Sequence, residues 1–196
     1  MIVKPLTKRE RLRHARAKPS ESVVAIGRPS TRTRYVRGGS IEAADAFARA
    51  AFGSMLDRSG EPPILHARRV AARLTDGTRV EKAAALCHDV IEDTAATCAD
   101  LRRGGVHSDA IEVVFILTRA TGEVYRAYIG RIIDSGNVSA MRVKLADLYD
   151  NMSPSRLGRL PEKERGIVLR YQWAASRIRA ALTEEQRAGI VEGELE

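Results

Sequence analysis

From Ser40 onward, apolar residues recur at the three- and four-residue intervals of a helix face. Ser40 can cap a first helix, with Ala44, Phe47, Ala48, Ala51, Phe52 and Met55 on one face, expected to run to about Asp57. A loop over Ser59 to Pro63 precedes a second helix from about Ile64 to Leu74, ended by Asp76-Gly77. Thr78 and Glu81 stand at the spacing of a capping box, and so open a third helix. Thr97 and Asp100 mark another start, stopped at Gly104-Gly105. Ser108 begins a strongly apolar helix through Ile111, Val114, Phe115 and Leu117. A helix over Gly122 to Ser135 follows, then one capped by Asn137 or Ser139. Pro161 suits the first turn of a long helix to about Leu182, and Thr183 with Gln186 proposes a short last helix. The sum is an all-α helical bundle with short loops.

The first 39 residues break this pattern. They are polar and basic, with a possible short helix from Thr7 to Lys18, a short strand or extended segment at Ser22 to Gly27, and a loop from Pro29 to Gly39. The organisation expected is a basic N-terminal arm, partly disordered, over 1–39, a helical domain over 40–182, and a short helix or tail over 183–196. Charge sharpens this division. The whole chain carries +8, but the arm holds eleven Lys/Arg against two acids, and the remainder 22 against 23. The body is therefore near neutral. Such an arm is either a solubilising extension or a weak contact for nucleic acid, and no aromatic-rich basic patch accompanies it. No apolar run is long enough to span a bilayer, and no secretory h-region is present, which implies a cytoplasmic protein with no membrane partner. Cys87 and Cys98 fit neither a disulfide framework nor a zinc spacing.

The candidate chemistry lies in His66, His88-Asp89 and Asp147. Adjacent imidazole and carboxylate in an apolar helix offer one nitrogen and one oxygen ligand to a divalent ion. Glu92 and Asp93 follow the pair by four residues, which places two carboxylates one turn beyond it if the helix is continuous. That suits metal-assisted hydrolysis, with a carboxylate to orient water or take its proton. Asp147 sits among apolar neighbours, where an unpaired charge is costly; it needs a metal, or a pairing with Arg142 or Lys144.

Three separated motifs extend this set into a resemblance. Arg58-Ser59-Gly60-Glu61-Pro62-Pro63-Ile64-Leu65-His66 resembles the R-K-S-G-E-P-Y-I-x-H stretch of RelA/SpoT-type alarmone hydrolase domains. Ala84-Ala85-Leu86-Cys87-His88-Asp89-Val90-Ile91-Glu92-Asp93-Thr94 resembles their A-A-L-L-H-D-x-x-E-D-T. Val143-Lys144-Leu145-Ala146-Asp147-Leu148-Tyr149-Asp150-Asn151-Met152 resembles V-K-L-A-D-R-L-H-N-M. The resemblance covers about residues 40–160 and points to the HD metal-dependent phosphohydrolases, in their small single-domain form.

The resemblance implies one Mn²⁺ on His66, His88, Asp89 and Asp147, with Glu92 and Asp93 catalytic. It implies substrate contacts from Arg58, Ser59, Lys144 and Asn151, and release of pyrophosphate from the 3′ position of guanosine-3′,5′-bis(diphosphate). Lys144 has a bland alternative as a snorkelling surface residue, and Asn151 as a helix C-cap. Glu61 is expected to hold the loop. Four positions depart from the family wording: Asp57 for its Arg, Pro63 for its Tyr, Leu148 for its Arg and Asp150 for its His. The replaced Arg is associated with the guanine base in the family. Less selective use of guanine nucleotides is therefore expected, and Asp57→Arg would be expected to raise guanine preference. The alternatives are a phosphatase or pyrophosphohydrolase for another nucleotide, or a nucleic-acid-associated regulatory protein that uses the arm.

Overall fold

The structure is a computed structural model that describes residues 40–193. The expected helix at Thr7–Lys18, the segment Ser22–Gly27, the loop to Gly39 and any nucleic-acid contact of the arm lie outside the described residues. Among the described residues, regular structure is helical, apart from one isolated antiparallel bridge between Leu74 and Ile190. Among the described residues, no helix is long and apolar enough to cross a membrane.

Helix α1 spans Ile41–Phe52, α2 Pro63–Arg73, α3 Arg79–Cys87, α4 Val90–Asp93 and α5 Cys98–Arg103. Then come α6 Ser108–Leu117, α7 Tyr125–Asp134, α8 Val138–Asn151, α9 Pro154–Arg159, a 3₁₀ turn Glu162–Glu164, α10 Ile167–Ala181 and α11 Glu184–Arg187. The caps follow the sequence signals. Ser40 accepts from the Ala43 amide, Thr78 and Glu81 form a full capping box, and so do Thr97 with Asp100 and Thr183 with Gln186. Asn137, not Ser139, caps α8. Three boundaries differ from expectation. α1 stops at Phe52 because Gly53 adopts φ 54 and returns its amide to Arg49 O, a conformation that favours glycine. α7 begins at Tyr125 because Gly122 takes φ 83 and Val124 is extended. The long helix expected from Pro161 is broken. Leu160 is extended, as a residue before proline tends to be, and α10 starts only at Ile167.

Helix α3 is central and packs on α1, α2, α6 and α8. Its Ala83, Ala84 and Ala85 are buried, and their small side chains let the surrounding helices approach closely. Val70, Val113, Val114, Ile129, Leu145, Leu148 and Ile178 fill the core around it. Each such side chain contributes about 1.5–3 kcal/mol when fully buried. Helices α2, α3 and α8 thus meet at one end of the core, each bringing part of the candidate site.

The end of the described chain is tied to the body. Thr75 N donates to Gly189 O at 2.9 Å, and Val191 N to Arg73 O at 2.9 Å. Arg142, buried on α8, donates to Gln186 O and Ala188 O and pairs with Glu81 at 2.9 Å and Asp76 at 2.5 Å.

Candidate metal centre

The structure brings together all four expected ligands. The ligand atoms of His66, His88 and Asp89 lie within 4.8 Å of one another. Asp147 Oδ1 is 3.1 Å from His66 Nε2 and 3.6 Å from His88 Nε2. His66, His88 and Asp147 are buried, while the Asp89 side chain is 37 % exposed, which gives the cluster one side open to solvent.

The outer nitrogens of both rings are committed. His66 Nδ1 lies 2.8 Å from Asp150 Oδ2, and His88 Nδ1 2.8 Å from Ala85 O. A carboxylate and a carbonyl can only accept, so both Nδ1 atoms carry protons and donate. In the neutral rings each Nε2 then turns a lone pair toward carboxylate oxygens. His88 Nε2 is buried without a hydrogen-bond partner among the described residues; Asp89 Oδ2, 3.0 Å away, lies outside hydrogen-bonding geometry. Lone pairs facing carboxylates repel unless a cation sits among them. The donor set, two imidazole nitrogens with two carboxylates, fits a divalent ion of the Mn²⁺ or Zn²⁺ kind. Without such an ion a proton takes that place. Burial pushes the His88 imidazole down, but Asp89 and Asp147 outweigh it and hold it well above its ordinary range.

The same field fixes the acids. Burial works against charge on Asp147, yet Lys144, His66 and His88 bring its carboxyl well below the usual range. Asp89 is lowered in the same way, chiefly by His88 against the cost of burial. Lys144 is half-buried, which works against its charge, yet Asp147 beside it raises its pKa well above that of an ordinary lysine.

The pair His88-Asp89 does not lie within one unbroken helix. Helix α3 ends at Cys87 and α4 begins at Val90. The His88 imidazole supplies the cause. It takes the Ala85 carbonyl, which in a continuous helix would accept the Asp89 amide. Both residues keep right-handed helical angles, and Asp93 N still donates to Asp89 O at 2.9 Å. Glu92 therefore stays one turn past His88. It accepts from the Arg119 amide at 3.3 Å and faces the Arg119 guanidinium at 3.7 Å. Asp93 is exposed.

The expected substrate residues have partners of their own. Lys144 Nζ donates to Asp147 Oδ2 at 2.6 Å, and Asn151 Nδ2 to Asp147 Oδ1 at 2.5 Å. Lys144 is therefore neither a snorkelling surface lysine nor remote from the ligands. Arg58 is exposed on the loop. The Ser59 hydroxyl donates to Asp57 Oδ1 at 2.7 Å, and the amides of Ser59 and Glu61 donate to the same oxygen at 2.8 Å and 3.1 Å. Asp57 Oδ2 accepts from Arg156 at 2.9 Å. Both Asp57 oxygens are thus bonded within the protein. Glu61 holds the loop as expected, through Arg69 and Arg159.

Sequence reasoning missed several contributors. Asp150, noted only as a departure, is buried and orients His66. Arg73 is 1 % exposed and donates to Asp150 and to the carbonyls of Val191 and Gly193. Arg119 on the α6–α7 loop gave no signal. Its loop is held by Arg131, which donates to Ile116 O and Thr118 O and pairs with Glu123. Tyr125 and Tyr128 lie beside the cluster: the Lys144 ammonium is 5.3 Å from the Tyr128 ring, and Arg170 stacks 4.6 Å from that of Tyr125. Tyr125 Oη is buried without a partner among the described residues.

No family model and no curated protein matches the chain. Solved structures do match. One is a metazoan ortholog of SpoT that hydrolyses ppGpp and plays a role in starvation responses. It aligns with a TM-score of 0.64 over 78 % of this chain and 92 % of that chain, at 18 % identity. The likeness is one of fold: this chain has the helical architecture of that SpoT-like hydrolase.

Proposed function

We propose that the chain is a metal-dependent phosphohydrolase of the HD type that acts on a nucleotide polyphosphate, releasing pyrophosphate from the 3′ position of guanosine-3′,5′-bis(diphosphate). The observation that carries the reading is the pair of imidazoles, each with Nδ1 committed and Nε2 aimed at carboxylates. The hydrolysis of ppGpp by the metazoan ortholog of SpoT, which shares the fold, supports the choice of substrate.

His66, His88, Asp89 and Asp147 would hold one divalent ion, Mn²⁺ by resemblance. When bound, that ion supplies Lewis-acid charge for the phosphoryl group and acidifies water. Glu92, oriented by Arg119, accepts the proton of the attacking water, with Asp93 as the neighbouring carboxylate. Lys144 keeps Asp147 ionised and adds positive charge beside the reacting phosphate. Arg58, exposed on its loop, meets the outer phosphates, and Asn151 orients Asp147.

A second reading, hydrolysis of another nucleotide, is favoured by one observation. Leu148 is fully buried, so the position of the family's Arg offers nothing to a substrate here. Purified protein incubated with Mn²⁺ and a nucleotide panel separates the two, with phosphate and pyrophosphate followed. Pyrophosphate release from the guanosine compound, abolished by chelator, is expected. Turnover of other nucleotides alone would select the second reading, and turnover unaffected by chelation would overturn both.

A further inference from the structure

Asp150 has more cationic partners than one carboxylate needs. It is fully buried and accepts from His66 Nδ1 at 2.8 Å, from Arg69 Nε at 3.1 Å and from Arg73 at 3.4 Å, with Arg156 Nε 3.9 Å away. Three guanidiniums around one carboxylate leave positive charge to be met elsewhere, since buried charges need partners. Each finds a second acceptor. Arg69 reaches Glu61 at 3.1 Å, Arg156 reaches Asp57 at 2.9 Å, and Arg73 reaches Val191 O at 3.1 Å and Gly193 O at 2.6 Å. Asp57 and Glu61 are the two ends of the loop that carries Arg58 and Ser59. They are joined to each other by the Asp57 N–H···O=C bond to Glu61, at 2.8 Å, and by the Glu61 amide on Asp57 Oδ1.

We propose that Asp150 is a positioning residue with two separable outputs: it fixes the His66 ring for the ion, and through Arg156–Asp57 and Arg69–Glu61 it fixes the loop 57–61 for substrate phosphates. The inference rests on the metal reading above. It also connects two departures from the family wording. Asp57 and Asp150 are both acids where the motifs have bases, and Arg156 lies between them. The loop and the metal ligand therefore share one buried anchor, although 84 residues separate Asp150 from His66.

The test uses the full chain, metal-free, with two readouts that need no substrate. Calorimetric titration with MnCl₂ reports the His66 output. Hydrogen–deuterium exchange of the 57–61 amides, measured by peptide mass spectrometry, reports the loop output. Asp150→Asn should weaken Mn²⁺ binding by about 10–100-fold, the scale for a lost partner of a metal-ligating imidazole, and should also deprotect the loop. Arg156→Gln should deprotect the loop while leaving Mn²⁺ affinity unchanged, and Arg156→Lys should restore part of the protection. Unchanged Mn²⁺ affinity in Asp150→Asn, or an unchanged loop in Arg156→Gln, would overturn the proposal. So would equal losses of Mn²⁺ affinity in the two variants, which would indicate one general structural role. Should Asp150→Asn not fold, ¹⁵N spectra of wild-type His66 carry the first output: Nδ1 must be the protonated nitrogen, and an Nε2–H tautomer overturns the proposal. A wild type that binds no Mn²⁺ refutes the metal reading and this inference together. Binding by the wild type with no variant moving either readout refutes the inference alone.

Discussion

The two imidazoles of the candidate centre are supported in opposite ways. His88 is held by Ala85 O, three residues back in its own chain segment. His66 is held by Asp150, 84 residues away, and Asp150 is itself surrounded by arginines from α2 and α9. Local support arrives with the helix that carries the ligand. Remote support requires α2, α8, α9 and the closing segment at 183–193 to be in place together. The site is therefore vulnerable in two ways: His88 fails with its own helix turn, whereas His66 can be disturbed from several distant positions.

The largest effects come from removing a ligand on either side of this comparison. His66→Ala and His88→Ala should each abolish Mn²⁺-stimulated turnover, because local or remote support is irrelevant once the ring is gone. Persistent Mn²⁺-stimulated turnover in either variant would remove that residue from the site. Next in size is Glu92→Gln, which should lower kcat by about a hundredfold, the usual scale for a lost acid–base group, while Mn²⁺ affinity is kept. Loss of metal with normal turnover on remetallation would make Glu92 a ligand instead.

Asp57→Arg sharpens the remote side. It places a guanidinium against Arg156 and removes the acceptor for three loop donors. kcat/KM should fall for guanine and adenine nucleotides alike. A rise in guanine preference would restore the reading of Asp57 as a position that faces the base. The smallest effect tests the local side. Thr78→Ala removes the capping box of α3 and should cost about 1 kcal/mol in urea unfolding, typical for an N-cap, with Mn²⁺ affinity unchanged. A matching loss of affinity would show that the His88 side is less self-contained than its geometry indicates.

The same contrast explains what could be read in the sequence. The all-helical architecture and most helix starts were legible, because Ser40, Thr78, Thr97 and Thr183 carry their capping signals within three residues. His88-Asp89 was legible because adjacent residues need no fold to be brought together. The role of Asp150 was not, since nothing local distinguishes it from an acid at a helix end; only the tertiary approach of α2 and α8 gives it His66. Arg73 carries no local sign of burial, and it is buried because the segment after α11 returns over it. The helix expected from Pro161 starts late for a local reason: Pro161 opens only the 3₁₀ turn Glu162–Glu164, and α10 begins at Ile167. Pro154 offers the same first-turn signal seven residues earlier, and α9 starts there.

Whether His66, His88, Asp89 and Asp147 form one metal site is decided by titrating metal-free protein with Mn²⁺, wild type beside Asp89→Ala. Of the four proposed ligands Asp89 suits the comparison best, because its side chain is partly exposed and its removal disturbs packing least. One Mn²⁺ per chain is expected in the wild type and no specific binding in Asp89→Ala, with both proteins folded by circular dichroism. Absence of binding in the wild type, or equal binding in the two proteins, would contradict the four-ligand site.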